Sequence, residues 1–160
     1  SFTTPVGASG GSGLTLLEIY DAETLNPNAS LVNASTRAFV GTGDAVLIPG
    51  FSVAGEGTVQ LLIRAVGPTL AGFGVESPLL DPEFTLFRES VPLGSSDNWG
   101  TAANAPAIAT AAARVGAFSL NAASRDAAML IPLSAGAYTA KVSGVANTTG
   151  TVLVEIYVIP

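Results

Sequence analysis

Catalysis needs nucleophiles, acids, bases or ligands, and this chain is poor in all of them. Cysteine and histidine are both absent, which removes thiol nucleophiles, His–Ser and Cys–His pairs, and the commonest transition-metal ligand. Lys141 is the only lysine, and it sits in the alternating run Tyr138-Thr139-Ala140-Lys141-Val142. That run reads as a strand with the amine in solvent, not as a Ser/Lys base. Twelve acidic residues leave paired-carboxylate glycoside hydrolysis formally open, but no pair stands out. The sequence implies no catalytic residue and no cofactor. Calcium is the ion its hard oxygen donors would take, with Asp97 and Asn98 as the candidates, joined by Asp44, Asp81 or Glu83. Their spacing matches no EF-hand loop, and Asx residues in turns usually bond their own backbone.

Other polar motifs read in the same plain way. Gly41-Thr42-Gly43-Asp44 lacks the lysine and the following helix of a phosphate loop and reads as a tight hairpin turn. Trp99, exposed in a loop, could stack on a sugar; packed over a sheet edge, it is structural. Arg37 and Arg64 lie in strand-like runs, where they either pair with Glu18, Glu155 or Asp44 or face solvent. Sequons occur at Asn28, Asn33 and Asn147 and read equally well as turn chemistry.

Composition narrows the class of protein. Charged residues make up 11% of the 160, against about 25% in typical soluble domains. Mean hydropathy is +0.51. Such a surface is expected to be covered by neighbouring subunits, or else built of Ser, Thr, Asn and Gly. The net charge is −6 and the five arginines are scattered, so no basic stripe for nucleic acid forms. No apolar run reaches the roughly 18 residues of a membrane span, so no membrane insertion is expected. The chain opens on Ser1, as a mature protein does after signal-peptide removal, so the expected location is extracellular or at the cell surface.

The elements that must carry these residues are strands. Short runs rich in Val, Ile, Leu and Thr alternate with Gly, Pro, Asn and Asp punctuation. They predict strands over residues 14–20, 31–40, 45–53, 58–66, 83–88, 127–132, 136–142 and 151–159. Turns are expected at 41–44, 54–57, 67–68, 95–98 and 147–150. Residues 102–115 are alanine-rich, with Pro106 early and Gly116 just past the end, which is helix asymmetry. The fold class is therefore all-β: a β-sandwich, jelly-roll-like, with one short Ala-rich helix. Residues 1–30 form an N-terminal arm with an extra strand and linker, and residues 31–160 form the sandwich domain.

That extra strand is the most informative feature. Gly13-Leu14-Thr15-Leu16-Leu17-Glu18-Ile19-Tyr20 repeats Gly150-Thr151-Val152-Leu153-Val154-Glu155-Ile156-Tyr157, with Gly, Leu, Glu, Ile and Tyr matched at one offset that Gly7 and Gly144 also keep. The assembly residues are Leu14, Leu16, Leu17, Ile19 and Tyr20; their C-terminal counterparts include Val152, Val154, Ile156 and Tyr157. Both faces of the copy carry apolar side chains, so it must pair with a sheet. Pairing within its own domain is one solution. Addition to the next subunit's sheet is the other, and repeated head to tail it gives a filament.

Residues 31–44 and 46–51, then Leu62-Ile63-Arg64-Ala65-Val66-Gly67-Pro68-Thr69-Leu70 and Val154-Glu155-Ile156-Tyr157, resemble a repeated β-domain of large secreted proteins of verrucomicrobial-type bacteria. The second half, through Phe84-Thr85-Leu86-Phe87, Ser96-Asp97-Asn98 and residues 133–142, is similar to the bacterial pre-peptidase C-terminal domain. Both resemblances imply an exported, non-catalytic sandwich, and neither supplies a ligand.

The functional expectation is a structural subunit of an extracellular filament, sheath or surface assembly. It would be a homopolymer whose partners are copies of itself, joined by N-terminal strand addition. A monomeric carbohydrate- or cell-surface-binding module is the alternative.

Overall fold

The computed structural model describes residues 3–7, 9–10, 15, 17–19 and 32–160. The chain divides into two units, Ser1–Leu31 and Val32–Pro160. The described residues of the first unit lie outside helix and strand. In the predicted strand over 14–20, Leu14, Leu16 and Tyr20 lie outside the described residues. Thr15, Leu17, Glu18 and Ile19 belong to no strand, with Leu17 50% and Ile19 69% exposed.

The second unit is all-β and sandwich-like, with one short helix. Its strands are β1 (Asn33–Val40), β2 (Gly50–Val66), β3 (Pro82–Arg88), β4 (Val91–Asp97), β5 (Ala127–Gly144) and β6 (Gly150–Ile159), with the helix α1 (Ala105–Arg114) between β4 and β5. All pairings are antiparallel, in the order β1-β6-β2-β5-β3-β4. β6 lies between β1 and β2, bonded on both sides.

Two pairs of predicted strands fuse. Residues 54–57, expected to turn, become an irregularity inside β2, where the register to β5 shifts between Val53 and Thr58. Gly55 and Gly57 take φ values of +96° and +80° there. Glycine tolerates these angles, so the strand bulges and bends without ending. Residues 127–132 and 136–142 likewise join as β5. One continuous pair, β2 with β5, thus runs through the whole domain.

Three further expectations are corrected. Ser95, Ser96 and Asp97 are strand, the end of β4, and only Asn98 leaves it in a left-handed conformation at φ +50°. The segment 41–44 is no hairpin turn. It leads through a 3-10 turn, Gly43–Ala45, and β1 and β2 stand on opposite sides of β6. The strand predicted to begin at residue 45 begins at Gly50, after Pro49, whose ring nitrogen has no hydrogen to give a ladder.

Burial follows the pleat. Leu61, Ile63 and Ala65 of β2 join Val152 and Val154 of β6, Phe84 and Leu86 of β3, and Tyr138, Ala140 and Val142 of β5 in one core. The opposite face of β2 is buried as well. Leu62 meets Ala128, Trp99 and Ile108 of α1 in a second cluster. Cover on both faces explains why residues 61–66 read as an almost unbroken apolar run. α1 forms where Asn104 precedes it, Pro106 sits in its first turn, and Gly116 follows at φ +70°. Ile108 and Ala111 are its buried residues, with Val115 partly buried, at helical spacing. Gly150 begins β6 directly against another backbone: a Cβ there would lie 2.6 Å from the Leu79 nitrogen.

Candidate functional site

An open sheet has two edges, and here they differ. β4 contains Pro92, and its register to β3 shifts between Leu86 and Phe87. Its Ser96 hydroxyl donates to the Ala128 carbonyl at 2.8 Å and accepts from the Ala128 N–H at 3.0 Å. Proline and a bulge are devices that blunt an edge. Among the described residues β1 shows neither. It carries neither proline nor glycine and pairs with β6 without a register break from Asn33 to Val40. Phe39 on β1 is 64% exposed and neighbouring Val32 65%. Arg37 is exposed on the same face as Phe39.

The most polar place in the interior is beside α1. Arg64 of β2 is fully buried, opposite Glu155 in the β2–β6 register. Arg64 Nε and Glu155 Oε2 lie 3.0 Å apart, without hydrogen-bond alignment, so charge holds them. Arg64 Nη1 donates to the Phe118 carbonyl at 2.8 Å, and its guanidinium lies 4.4 Å from the Phe118 ring centre. The Tyr157 hydroxyl donates to Glu155 Oε1 at 2.7 Å. Burial lowers the Arg64 pKa, with Glu155 opposing it. Burial first, then the bond to Glu155, raises that of Tyr157. A small cavity of about 100 Å³ adjoins, lined by Arg64, Trp99, Ile108, Ala112, Ser119 and Leu120. The Glu155 carboxylate is engaged by Arg64 on one oxygen and by the Tyr157 hydroxyl on the other. This cluster joins β2, β6 and the segment after α1.

A second buried carboxylate, Asp126, was not anticipated from sequence. Its Oδ1 accepts from the Gly67 N–H at 2.8 Å, and its Oδ2 from the Thr69 and Ser124 hydroxyls. Its carbonyl accepts from the Trp99 N–H at 2.9 Å. Asp126 therefore ties the turn after β2 to the start of β5. Its signal in the sequence was only an acid immediately before an apolar strand. For Arg64 and Glu155 the signal was stronger, because each interrupts an apolar strand at an inward position.

The other candidates fall as follows. Asp97 is exposed at the end of β4. Desolvation, then the charge of Asp81, raises its pKa. Asp81 pairs with Arg125 at 2.9 Å. Glu83 stands opposite Asp97 in the β3–β4 register; among the described residues no group of three acidic, histidine or cysteine side chains is placed to hold a metal ion. Trp99 is 6% exposed, and its indole N–H donates to the Asn121 carbonyl at 3.1 Å. It is a core residue and offers no face to a sugar. Lys141 is exposed on β5 and Asp44 in the 3-10 turn. The Asn33 amide donates to the Ile156 carbonyl at 3.2 Å, and Asn147 takes φ +60° in a turn; Asn28 lies outside the described residues. Val152 and Val154 are buried, and Ile156 and Tyr157 partly so, within the doubly paired β6. No described helix is long and apolar enough to cross a membrane.

Comparison with known proteins gives little beyond fold. No protein-family model matches the chain, and no curated protein does, so the likeness to a verrucomicrobial-type repeat stays a likeness. Among solved structures it is similar to the pre-peptidase C-terminal domain of collagenase from Bacillus anthracis. The TM-score is 0.47 and the identity 12%, over 78% of this chain and 89% of that one. No functional conclusion rests on a match at that level.

Proposed function

We propose that this chain is a non-catalytic structural β-module, exported from its cell, that polymerises by lending residues 14–20 to the sheet of the next copy. The observation that carries the reading is the second occurrence of the β6 sequence. Residues 150–157 fill a place bonded on both sides, and residues 13–20 repeat them at one offset. A segment with that pattern is matched to pairing in a sheet, and the β6 place in its own domain is taken. Exposure of Leu17 and Ile19, and a charged fraction of 11%, favour the same reading.

A monomeric binding module of a secreted protein is the second reading. The separation of Val32–Pro160 as a compact unit with its own core favours it. Burial of Trp99 removes the residue best suited to stack on carbohydrate.

Sedimentation velocity and negative-stain microscopy separate the two readings. The full chain is expected to form polymers, and the full chain carrying Leu17→Asp and Ile19→Asp to remain monomeric. Neither residue belongs to the core, so folding is retained. A parent chain that stays monomeric as concentration rises, or a variant that polymerises equally well, refutes the proposal.

A further inference from the structure

We infer that the acceptor of the donated strand is the outer edge of β1 in a second copy, with Glu18 of the donor opposite Arg37. This rests on the self-association proposed above and adds which edge is used and in what register.

The sheet order leaves two outer strands, β1 and β4. β4 is blunted by Pro92 and the register shift beside it. β1 keeps an unbroken register, is paired on one side only among the described residues, and contains no glycine or proline. The phase of its bonding can be read from one contact. The Val158 N–H donates to the Val32 carbonyl at 3.0 Å. Bonded pairs alternate along an antiparallel ladder, so Ala34, Thr36, Ala38 and Val40 turn their backbone groups to β6. Asn33, Ser35, Arg37 and Phe39 turn theirs outward.

A donor strand must therefore bond to those odd-numbered residues. Its own alternation puts Leu16, Glu18 and Tyr20 on one face and Thr15, Leu17 and Ile19 on the other. Antiparallel addition with Glu18 opposite Arg37 sets Leu16 beside Phe39 and Tyr20 beside Ser35. On the other face Leu17 meets Ala38, and Ile19 meets Thr36. Charge meets charge, and one apolar pair falls on each face, Leu16 with Phe39 and Leu17 with Ala38. A slip of two residues in either direction places Arg37 opposite Leu16 or Tyr20, and a slip of one exchanges the faces. Among the described residues β1 pairs only with β6, and Leu17 and Ile19 lie exposed outside any strand. The occupant is a second copy, as the self-association proposed above requires.

Thiol cross-linking tests the assignment, and the absence of native cysteine makes it unambiguous. Opposed residues in a bonded antiparallel pair lie about 5.5 Å apart between Cα atoms, within disulfide reach. Full-length chains carrying Ser35→Cys are mixed with chains carrying Tyr20→Cys and oxidised. A covalent heterodimer is the expected product, and Leu93→Cys on β4 mixed with Tyr20→Cys is expected to give none. Polymers that cross-link through Leu93→Cys, or through neither position, overturn the edge assignment while leaving self-association standing. Both cysteines placed in one chain and closing only within that chain also overturn it. Absence of any polymer overturns both proposals. In parallel, Glu18→Arg is expected to raise the concentration needed for assembly about two- to fivefold, the effect of an opposed charge pair, with Arg37→Glu in the same chain restoring it. No change with Glu18→Arg refutes the register.

Discussion

Replacing Glu155 by leucine should cost this domain a large part of its stability. The carboxylate stands 3.0 Å from Arg64 Nε, and the arginine is 0% exposed. At an effective dielectric of about 20, charges at that separation attract by about 5 kcal/mol. Each ion also loses several kcal/mol of hydration on burial. The pair therefore nearly balances, and its removal as a pair should cost little. Removing one member is different. Arg64 would keep its charge, the Phe118 carbonyl and the Phe118 ring, but lose the carboxylate that opposes its burial most strongly. Glu155→Leu should then destabilise by about 3–5 kcal/mol, out of the 5–15 kcal/mol typical of a domain. In a chain of this length that lowers Tm by roughly 6–20 °C. The double replacement Arg64→Met with Glu155→Leu should return to within about 1 kcal/mol of the parent, or exceed it. Urea unfolding followed by the fluorescence of Trp99, the single tryptophan, measures both variants, with an unchanged slope as the control on two-state behaviour. A single variant losing less than about 1 kcal/mol, or a double variant as unstable as the single one, would show that the pair is not balanced as argued.

Asp126→Ala leaves the Gly67 N–H without its acceptor and frees Thr69 and Ser124; a loss of about 3 kcal/mol in urea unfolding is expected, and less with Asn in its place. Gly150→Ala sets a Cβ 2.6 Å from the Leu79 nitrogen and 2.7 Å from its Cα; backbone cannot yield as a side chain does, so a loss of about 1–3 kcal/mol or more is expected in the same assay. Asp97 titrates above its ordinary value of 3.8 because of burial and the charge of Asp81. A raised acid binds its proton more tightly when folded, so its ionised form lowers stability once pH rises past the folded pKa. Asp97→Asn should therefore raise Tm modestly at pH 7 and leave it unchanged at pH 3, where both forms are neutral; thermal melts at the two values decide it.

Class and most elements were readable directly from the residues. Alternating Val, Ile, Leu and Thr runs between Gly and Pro marked strands. The Ala-rich segment with Pro106 and Gly116 marked the helix to within a few residues. Each of those signals is local: a strand's pleat or a helix's turn is set by neighbours a few residues away. The repetition of residues 150–157 in 13–20 is also a property of sequence alone. What local signals could not decide was whether a glycine ends a strand or bends it. Ala54-Gly55-Glu56-Gly57 looks like a turn, yet β5 pairs along both sides of it, and β2 continues through it as a bulge. The strand at Ser95–Asp97 was likewise hidden under turn-like residues that pairing with β3 overrides.

The polar interior belonged wholly to tertiary structure. Arg64 and Glu155 are distant in sequence and meet only because β2 and β6 are paired in one register. Asp126 becomes a hub only when the turn after β2 folds over the start of β5. The asymmetry between an open β1 and a blunted β4 is of the same kind. An edge exists only once strand order is set, and strand order is settled by long-range burial and pairing, which no window of neighbouring residues contains.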